Sequence, residues 1–241
     1  MCIRDRRRRR PFRAMLDGSL GASERQELAM DEQQKDWIWS EPGRYDRWTA
    51  AEACIYYERY NDLLDLVVVR CQVKKHDRVL DIGTGTGELA RRFALSRGCR
   101  VVGLDPLAAM VDEARRKAGE GAWGDVRFQV AEAPFLEFPY PDRTFDAVAS
   151  TQAFHHLPEC DKPAAVREMA RVLCRGGRLA IGDVVFHCQA DLKAALARWP
   201  EELEEEPFAY LDTLQPMFRE AGLSIHAEQL SRANWVVWGS K

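Results

Sequence analysis

The stretch that decides the fold is VLDIGTGTGE, residues 79–88. A short apolar run with the character of a strand leads into three alternate glycines, and the residues after them have helical apolar spacing. Glycine lets the backbone turn sharply and approach a ligand closely, and free amide N–H groups collect where a helix begins. The pattern therefore predicts a strand, a ligand-binding loop and a helix in direct succession.

The spacing of Gly83, Gly85 and Gly87 separates two classes of ligand. The dinucleotide pattern G-x-G-x-x-G/A needs a small third residue, but Glu88 stands at that position. A carboxylate there would repel a pyrophosphate, whereas a ligand with an ammonium and a sulfonium group would meet no repulsion. Asp81, just before the loop, adds a second negative charge. The loop favours a cationic ligand, and a nicotinamide-dependent oxidoreductase is the less favoured alternative.

A further acid, Asp105, ends the next predicted strand, about 20 residues beyond the loop. An acid at that distance can accept hydrogen bonds from both hydroxyls of a ribose. Alternatively, Asp105 could cap the helix that follows, with Pro106 as its first residue. We favour ribose binding because the glycine loop stands at the right distance.

Strands and helices alternate through most of the chain. Apolar runs predict buried strands, and helical spacing predicts helices between them; the strands fall at 78–82, 100–104, 126–130, 145–150, 178–185, 224–230 and 234–238. The last two form a terminal hairpin. Residues 36–48 are predicted to be irregular, 49–71 to form one or two helices, 106–118 a helix that begins with Pro106, and 201–206 a solvated connection. This alternation predicts an α/β fold, with helices on both faces of a mainly parallel sheet.

Charge is distributed unevenly along the chain. Residues 1–13 carry seven Arg and one Asp, which leaves 28 basic and 37 acidic residues in the remainder. An acidic body argues against a nucleic-acid partner. Met1 to Arg6 resembles a leader translated from sequencing-adapter remnants, so roughly the first ten residues are interpreted as artefactual or inert. Residues 1–33 are predicted to be a disordered tail, and 34–241 to be a single domain.

Other features predict a cytoplasmic protein without a membrane span. No apolar run of signal-peptide type follows the N-terminal charges, and no stretch approaches the ~20 apolar residues of a membrane span. The seven cysteines include no C-x-x-C pair, so we expect reduced, buried thiols and no metal site.

The motifs together resemble those of the class I S-adenosylmethionine-dependent methyltransferases. Residues 79–90 resemble the first motif of that family and 103–106 the second, while 145–148 with 154–157 resemble the fourth-strand motif of its small-molecule branch, which includes menaquinone-biosynthesis methyltransferases. Residues 150–156 are also similar to an uncharacterised bacterial subfamily. The resemblance covers roughly 45–240. It implies a Rossmann-like, seven-stranded sheet of order 3-2-1-4-5-7-6, with an antiparallel last strand.

The same resemblance implies that S-adenosyl-L-methionine lies over the carboxyl ends of strands 1, 2 and 4. The implied contacts are Tyr45, Asp81, Gly83, Thr84, Gly85, Gly87, Asp105, Pro106, Glu132, Ala133 and Ser150. One position departs from the family, which has an acid after the third strand that touches adenine. Counting forward places Glu132 there, whereas counting back from the fourth strand places Pro134, whose side chain cannot accept a hydrogen bond. We favour Glu132.

His155 and His156 are the candidate catalytic residues, since an imidazole can act as a general base near neutral pH. The alternative is that both shape the turn after the fourth strand. We favour that structural role, because adjacent side chains of an extended segment point to opposite sides.

Aromatic residues near the N-terminus form a lid or pack a helix onto the sheet; they are Trp37, Trp39, Tyr45, Tyr56 and Tyr57. No Asp/Asn-Pro-Pro-Tyr or Pro-Cys stretch follows the fourth strand, which disfavours nucleic-acid bases as methyl acceptors. We therefore expect methyl transfer to a small molecule. The alternative is a protein of the same fold that binds the cofactor, or serves as a partner subunit, without turnover. The oligomeric state and the acceptor stay open.

Overall fold

The computed structural model describes residues 41–52, 54–132, 135–204 and 206–241. The predicted tail, together with Trp37 and Trp39, lies outside this part of the chain. The helices are α1 Pro42–Ala50, α2 Tyr60–Cys71, α3 Glu88–Arg97, α4 Ala108–Gly121, α5 Lys162–Val172, α6 Gln189–Arg198 and α7 Leu211–Glu220. The strands are β1 Arg78–Ile82, β2 Arg100–Asp105, β3 Val126–Val130, β4 Phe145–Thr151, β5 Leu173–Phe186, β6 Ala209–Tyr210, β7 His226–Gln229 and β8 Asn234–Ser240.

The strands form one sheet with the order β3-β2-β1-β4-β5-β8-β7. All neighbours in the first five strands are parallel, and β8 runs antiparallel to both β5 and β7. The additional strand β6 has two residues and pairs with the end of β5. Without it, the observed order is the predicted 3-2-1-4-5-7-6, so the predicted fold is confirmed with one short strand more.

Helices cover both faces because successive side chains of each buried strand point to opposite sides. Val79 packs among side chains of α2, α3 and α4, including Val67 and Phe93. Its neighbour Leu80 packs on the other face, among side chains of α5 and α7 such as Met169. Burial on both faces explains the continuous apolar character of these strands.

Several predicted boundaries were wrong for identifiable reasons. Residues 42–48, predicted to be irregular, are helical and belong to α1, with Pro42 in its first turn, where proline is well tolerated. The segment 49–71, predicted to form one or two helices, contains the end of α1 and the whole of α2. The described residues between them are not helical, and Arg59, just before α2, adopts a left-handed backbone with φ of 59°. Helix α4 begins at Ala108, with Leu107 and not Asp105 as the residue before it.

The acidic run 201–206 is not simply solvated. Leu203 within it is buried, the Tyr56 hydroxyl accepts a hydrogen bond from the Glu204 N–H, and Glu202 forms an ion pair with Arg232. The expected buried thiols are also only partly observed. Cys54, Cys71 and Cys99 are buried, whereas those at 160, 174 and 188 are exposed or half-buried; none of these six forms a disulfide. No helix in the described part of the chain has the length and apolar character that a membrane crossing requires.

Candidate cofactor and active site

A cavity of about 510 Å³ opens where the carboxyl ends of β1, β2 and β4 meet. Strand β1 lies between β2 and β4. The connection after β1 leads to β2 and the connection after β4 leads to β5, in opposite directions across the sheet, and open α/β sheets bind ligands at such a position. The described lining residues are Tyr45, Gly83, Gly85, Asp105, Pro106, Leu107, Met110, Phe135, Gln152, Ala153, His156 and Leu157. The volume is that of a site for one drug-sized ligand.

The three glycines of the loop have different surroundings. A Cβ on Gly83 would lie 2.3 Å from the Ala153 Cβ, so the loop can approach the end of β4 only as glycine. Among the described residues, a Cβ on Gly85 would have only the Tyr45 ring within 4 Å, at 3.7 Å, and would therefore project into the cavity. Gly87 faces away from the cavity, because its Cβ would meet Phe128 at 2.9 Å. The first two glycines form the cavity wall, and the third lets the loop pack on β3.

Asp105 organises the loop from the end of β2. Its Oδ2 accepts a hydrogen bond from the Gly85 N–H and its Oδ1 one from the Leu107 N–H, both at 2.9 Å. Burial raises the pKa of Asp105, and the two N–H donors oppose that shift. Each carboxylate oxygen keeps a second lone pair. The residue can thus hold the loop and accept ribose hydroxyls at the same time.

Replacing Asp105 by alanine is expected to weaken S-adenosylmethionine binding by about 10- to 150-fold, the range for hydrogen bonds to a charged group. The melting temperature should fall slightly, because two backbone N–H groups lose their acceptor. Titration calorimetry and melting curves on the same preparation separate the two effects. Unchanged affinity with a lower melting temperature would mean that Asp105 only organises the loop.

Asp81 lies beneath the loop and is almost completely buried, with 1% of its surface exposed. Its Oδ2 accepts a hydrogen bond from the Thr84 hydroxyl at 2.7 Å, while its Oδ1 has no partner among the described residues. Burial, reinforced by the negative charge of Asp105, raises the pKa of Asp81 to about 7. The site holds a buried acid that a cationic ligand would help to ionise.

This raised pKa predicts a pH dependence. Between the unfolded pKa of aspartate, about 4, and the folded pKa, the native state binds more protons than the unfolded state, so stability falls as pH rises. We expect Asp81→Asn to remove this slope and to stabilise the ligand-free protein at pH 8 by up to about 4 kcal/mol. It should also weaken binding of the cationic cofactor. Asp112→Asn, on the exposed side of α4, removes the same charge as a control; equal effects of the two substitutions would contradict the prediction.

Helix α1 covers one side of the cavity. Tyr45 lines the cavity and hydrogen-bonds the hydroxyls of Tyr57 and Tyr60. The next residue, Asp46, accepts a hydrogen bond from the Thr86 hydroxyl at 2.5 Å and forms an ion pair with Lys117 on α4 at 3.0 Å. The Tyr45-Asp46 pair therefore places an aromatic ring in the cavity and fastens the helix to the glycine loop.

The two histidines lie side by side, and the expectation that they occupy an extended segment, with side chains on opposite sides, was wrong. Residues 154–156 form a 3₁₀ turn and not an extended segment, and the ring centroids of His155 and His156 are 4.0 Å apart. His155 is buried, and its Nδ1 is 2.5 Å from Oδ1 of Asp183 on β5. His156 is exposed and lines the cavity. Only His156 faces the space where an acceptor would bind.

His155 affects the pKa values of both Asp183 and His156. Burial alone would raise the pKa of Asp183, but His155 and the backbone N–H donors around Asp183 hold it below its usual value. The pKa of His156 is lowered, first by loss of water on its protein-facing side and then by His155. His156 is therefore a neutral imidazole at physiological pH.

Gln152 is a cavity residue that sequence reasoning missed. It is 4% exposed, and its Nε2 donates hydrogen bonds at 2.6 Å to the Tyr56 carbonyl and to Oδ1 of Asn234 on β8. The Asn234 amide in turn donates to the carbonyls of Ile55, Tyr56 and Glu58. This buried network joins the cavity floor, the C-terminal hairpin and the segment between α1 and α2.

The remaining predicted contacts are not brought to the cavity wall. Thr84 is buried against Asp81, Ser150 is buried with its hydroxyl unpaired among the described residues, and Glu132 is exposed and absent from the described lining. Ala133 and Pro134 lie outside the part of the chain that the structure describes, so the adenine contact stays a prediction. No group of three His, Cys, Asp or Glu side chains in the described part of the chain is arranged to hold a metal ion.

The cavity fits a cationic nucleoside cofactor. The charged side chain in its described lining is the carboxylate of Asp105, a second buried carboxylate lies below the loop, and Gly85 leaves room for a ligand against the backbone. Glu88 repels an anionic ligand less than the sequence predicts, because Arg91 forms an ion pair with it. Sheet order, antiparallel β8 and this cavity together define the class I S-adenosylmethionine-dependent methyltransferase architecture.

Comparison with known proteins agrees with this class. Residues 79–177 match the methyltransferase domain family. An uncharacterised methyltransferase of Geobacillus thermodenitrificans is 33% identical over 76% of this chain and 86% of its own length. The 27-O-demethylrifamycin SV methyltransferase of Amycolatopsis mediterranei is 34% identical, over 83% and 74% respectively. The crystal structure of the [4+2]-cyclase SpnF is 31% identical with a TM-score of 0.59, covering 72% of this chain and 60% of SpnF. The chain belongs to the class I S-adenosylmethionine-dependent methyltransferases, and its cofactor is S-adenosylmethionine.

Proposed function

We propose that this methyltransferase transfers the methyl group of S-adenosylmethionine to a hydroxyl group of an uncharged, largely apolar small molecule. The observation that carries the proposal is the wall of the cavity near β4, where the neutral His156 stands among Phe135, Ala153 and Leu157. No Lys or Arg side chain occurs in the described lining. An anionic acceptor would therefore lack a counter-charge.

The cofactor is expected to lie across the two wall-forming glycines. Asp105 would accept hydrogen bonds from the ribose, and Leu107 and Met110 would hold the adenine between apolar surfaces. The methionine end would then lie near Tyr45 and above Asp81. This places the activated methyl group toward the end of β4, beside His156.

The bound cofactor supplies an activated methyl group, so the protein mainly positions the acceptor and excludes water. His156 would accept a hydrogen bond from the acceptor hydroxyl and take its proton as the O–CH3 bond forms, while the S–CH3 bond of the cofactor breaks and S-adenosylhomocysteine is released. The lowered pKa keeps the ring of His156 neutral and therefore able to accept this proton; a bound acceptor that brings its pKa back toward the working pH would make it a more effective base. Gln152 fixes the floor of the cavity through its bonds to Tyr56 and Asn234.

A relative supports hydroxyl chemistry, and a solved structure supports an alternative. The Amycolatopsis protein is named for O-methylation of a rifamycin, whereas SpnF is described as a [4+2]-cyclase. A domain of this kind can thus occur in a protein named for a reaction other than methyl transfer. The alternative for this chain is cofactor binding without methyl transfer.

The deciding experiment incubates the full chain with methyl-labelled S-adenosylmethionine and a small-molecule extract enriched in polyketides and phenols. Mass spectrometry should find the label in new methyl ethers. Label on nitrogen or carbon would overturn the hydroxyl assignment. Stoichiometric cofactor binding without labelled product would support the alternative, and loss of a metabolite to an unlabelled isomer would point to cyclase-type chemistry.

A further inference from the structure

A second cavity, of about 360 Å³, lies at the amino ends of the strands, opposite the cofactor site. We call it the amino-edge cavity. Its walls are the end of α2, the loop before β1 and the turn 174–178 within β5. Its charged lining residues are Lys74, Arg175, Arg178, Asp77 and Asp146.

The three cations of the amino-edge cavity outnumber its two carboxylates, Asp77 and Asp146. Lys74, Arg175 and Arg178 make no ion pair within 4 Å with any residue that the structure describes. The two carboxylates are instead held by backbone groups. Asp77 Oδ2 accepts the Lys74 N–H at 2.7 Å, and Asp146 Oδ2 accepts the Arg78 N–H at 2.8 Å.

Positive charge is concentrated around this cavity. Four more basic side chains near the amino ends of the strands also lack an ion pair with described residues: Lys75, Arg78, Arg97 and Arg143. Arg78 stands directly beside Arg100 in the register of β1 and β2, and Arg100 is itself paired with Asp125 at 3.8 Å. Elsewhere most arginines are neutralised by acids, among them Arg59, Arg91, Arg92, Arg115, Arg116, Arg171 and Arg232. In a chain of net charge −3, this edge is a local positive field.

The shape of the cavity suits a small ligand better than an extended one. Arg175 and Arg178 flank the Gly176-Gly177 turn, and Gly176 has a φ of +75° with open space where a Cβ would stand. The turn therefore leaves the cavity mouth clear. Paired guanidinium N–H groups match the oxygens of a phosphate group, and phosphate-bearing ligands commonly bind Arg and Lys together.

We propose that the amino-edge cavity binds a small phosphate-bearing molecule, held by Lys74, Arg175 and Arg178. The site is separate from the cofactor cavity, because one lies before the strands and the other after them. The acidic net charge of residues 14–241 was expected to disfavour anionic partners. Because charge is unequally distributed over the surface, the net charge alone does not exclude an anionic ligand at this edge. A compact diphosphate is preferred over a polymer because the unpaired cations line a concavity.

The test is titration calorimetry of the full chain with inorganic pyrophosphate at low salt. Arg175→Gln with Arg178→Gln should weaken binding at least about tenfold. The matched control is Arg167→Gln with Arg219→Gln, which removes two exposed, unpaired charges from α5 and α7; it should change affinity less than about twofold. Cofactor affinity should stay unchanged in every variant, which shows that each one is folded.

Three results would overturn the proposal. Equal weakening in both double variants would show a general charge effect, and no heat with millimolar pyrophosphate would show that no site exists. Tighter binding of a single-stranded oligonucleotide, lost on Lys75→Gln with Arg97→Gln but kept on Arg175→Gln with Arg178→Gln, would assign the edge to nucleic acid. None of these results bears on methyl transfer, so the two proposals fail independently.

Discussion

Replacing Gly85 by valine should lower the affinity for S-adenosylmethionine by at least about a hundredfold, because two effects act together. The position has a φ of +53°, which a β-branched residue adopts only with strain. In addition, a Cβ at this position projects into the cavity, with Tyr45 as its one neighbour within 4 Å. Titration calorimetry measures the loss, and thermal melting measures the strain.

Gly124→Val separates the two effects. Gly124 has a φ of +83°, and a Cβ added there would have no atom of the described residues within 4 Å, so the same substitution brings backbone strain alone. Both variants should lose on the order of 1–2 kcal/mol of stability, but only Gly85→Val should lose cofactor affinity. If Gly85→Val binds normally, the loop does not hold the cofactor. If both variants lose affinity equally, the effect comes from stability.

The two histidines should respond differently to the same substitution. His156→Gln should lower turnover by roughly 10²–10⁴-fold, the usual contribution of a general base, with normal melting and cofactor affinity because the side chain is exposed at the cavity. His155→Gln should instead cost about 1.5–3 kcal/mol of unfolding free energy, the range for a hydrogen bond to a charged group, since it removes the imidazole and leaves the buried carboxylate of Asp183 with backbone N–H donors alone. Turnover at saturating cofactor and chemical denaturation measure the two effects.

A double variant checks the second half of this prediction. Asp183→Asn together with His155→Gln removes the buried carboxylate along with its imidazole partner and should recover part of the stability lost in His155→Gln. The pH dependence supplies a further readout. The folded pKa of Asp183 is depressed, so its stabilisation is present above the unfolded value of about 4 and is lost as pH falls through the folded pKa. The double variant should lack this acid loss. Turnover that falls only in proportion to unfolding would make His156 structural as well.

The sheet and the glycine-walled half of the cavity were predictable from local patterns. Alternating strands and helices determine a parallel sheet, and Gly83, Gly85 and Asp105 are recognised by spacing along the chain. One feature of the sequence could have indicated the half of the cavity near β4. Asp183 interrupts the apolar run of β5, and a buried acid needs a partner in the fold.

The remaining features depend on backbone geometry and on distant contacts. Gln152 lines the cavity with a left-handed backbone, at a φ of +50°. Glutamine has no preference for that conformation, so the sequence does not predict it. The boundary at α2 depends on a left-handed Arg59, another conformation that L-residues rarely adopt. Asp46 meets Thr86 across 40 positions of the chain, and Asn234 meets Tyr56 across 178. Local periodicity carries no information on such pairs.

The hydrogen bonds from Asn234 to the carbonyls of residues 55–58 have a consequence for the order in which the protein folds. Strand β8, which carries Asn234, inserts between β5 and β7, so it completes the sheet. The segment between α1 and α2 comes before every strand in the chain, yet the side chain that binds its carbonyls at Ile55, Tyr56 and Glu58 belongs to β8. Contacts of such long sequence separation close late, because their loop entropy must first be overcome. During synthesis the glycine loop, Asp105 and the Asp46–Thr86 contact of α1 can thus form before β8 exists, and a nascent chain would hold residues 55–58 loosely until β8 has been added to the sheet.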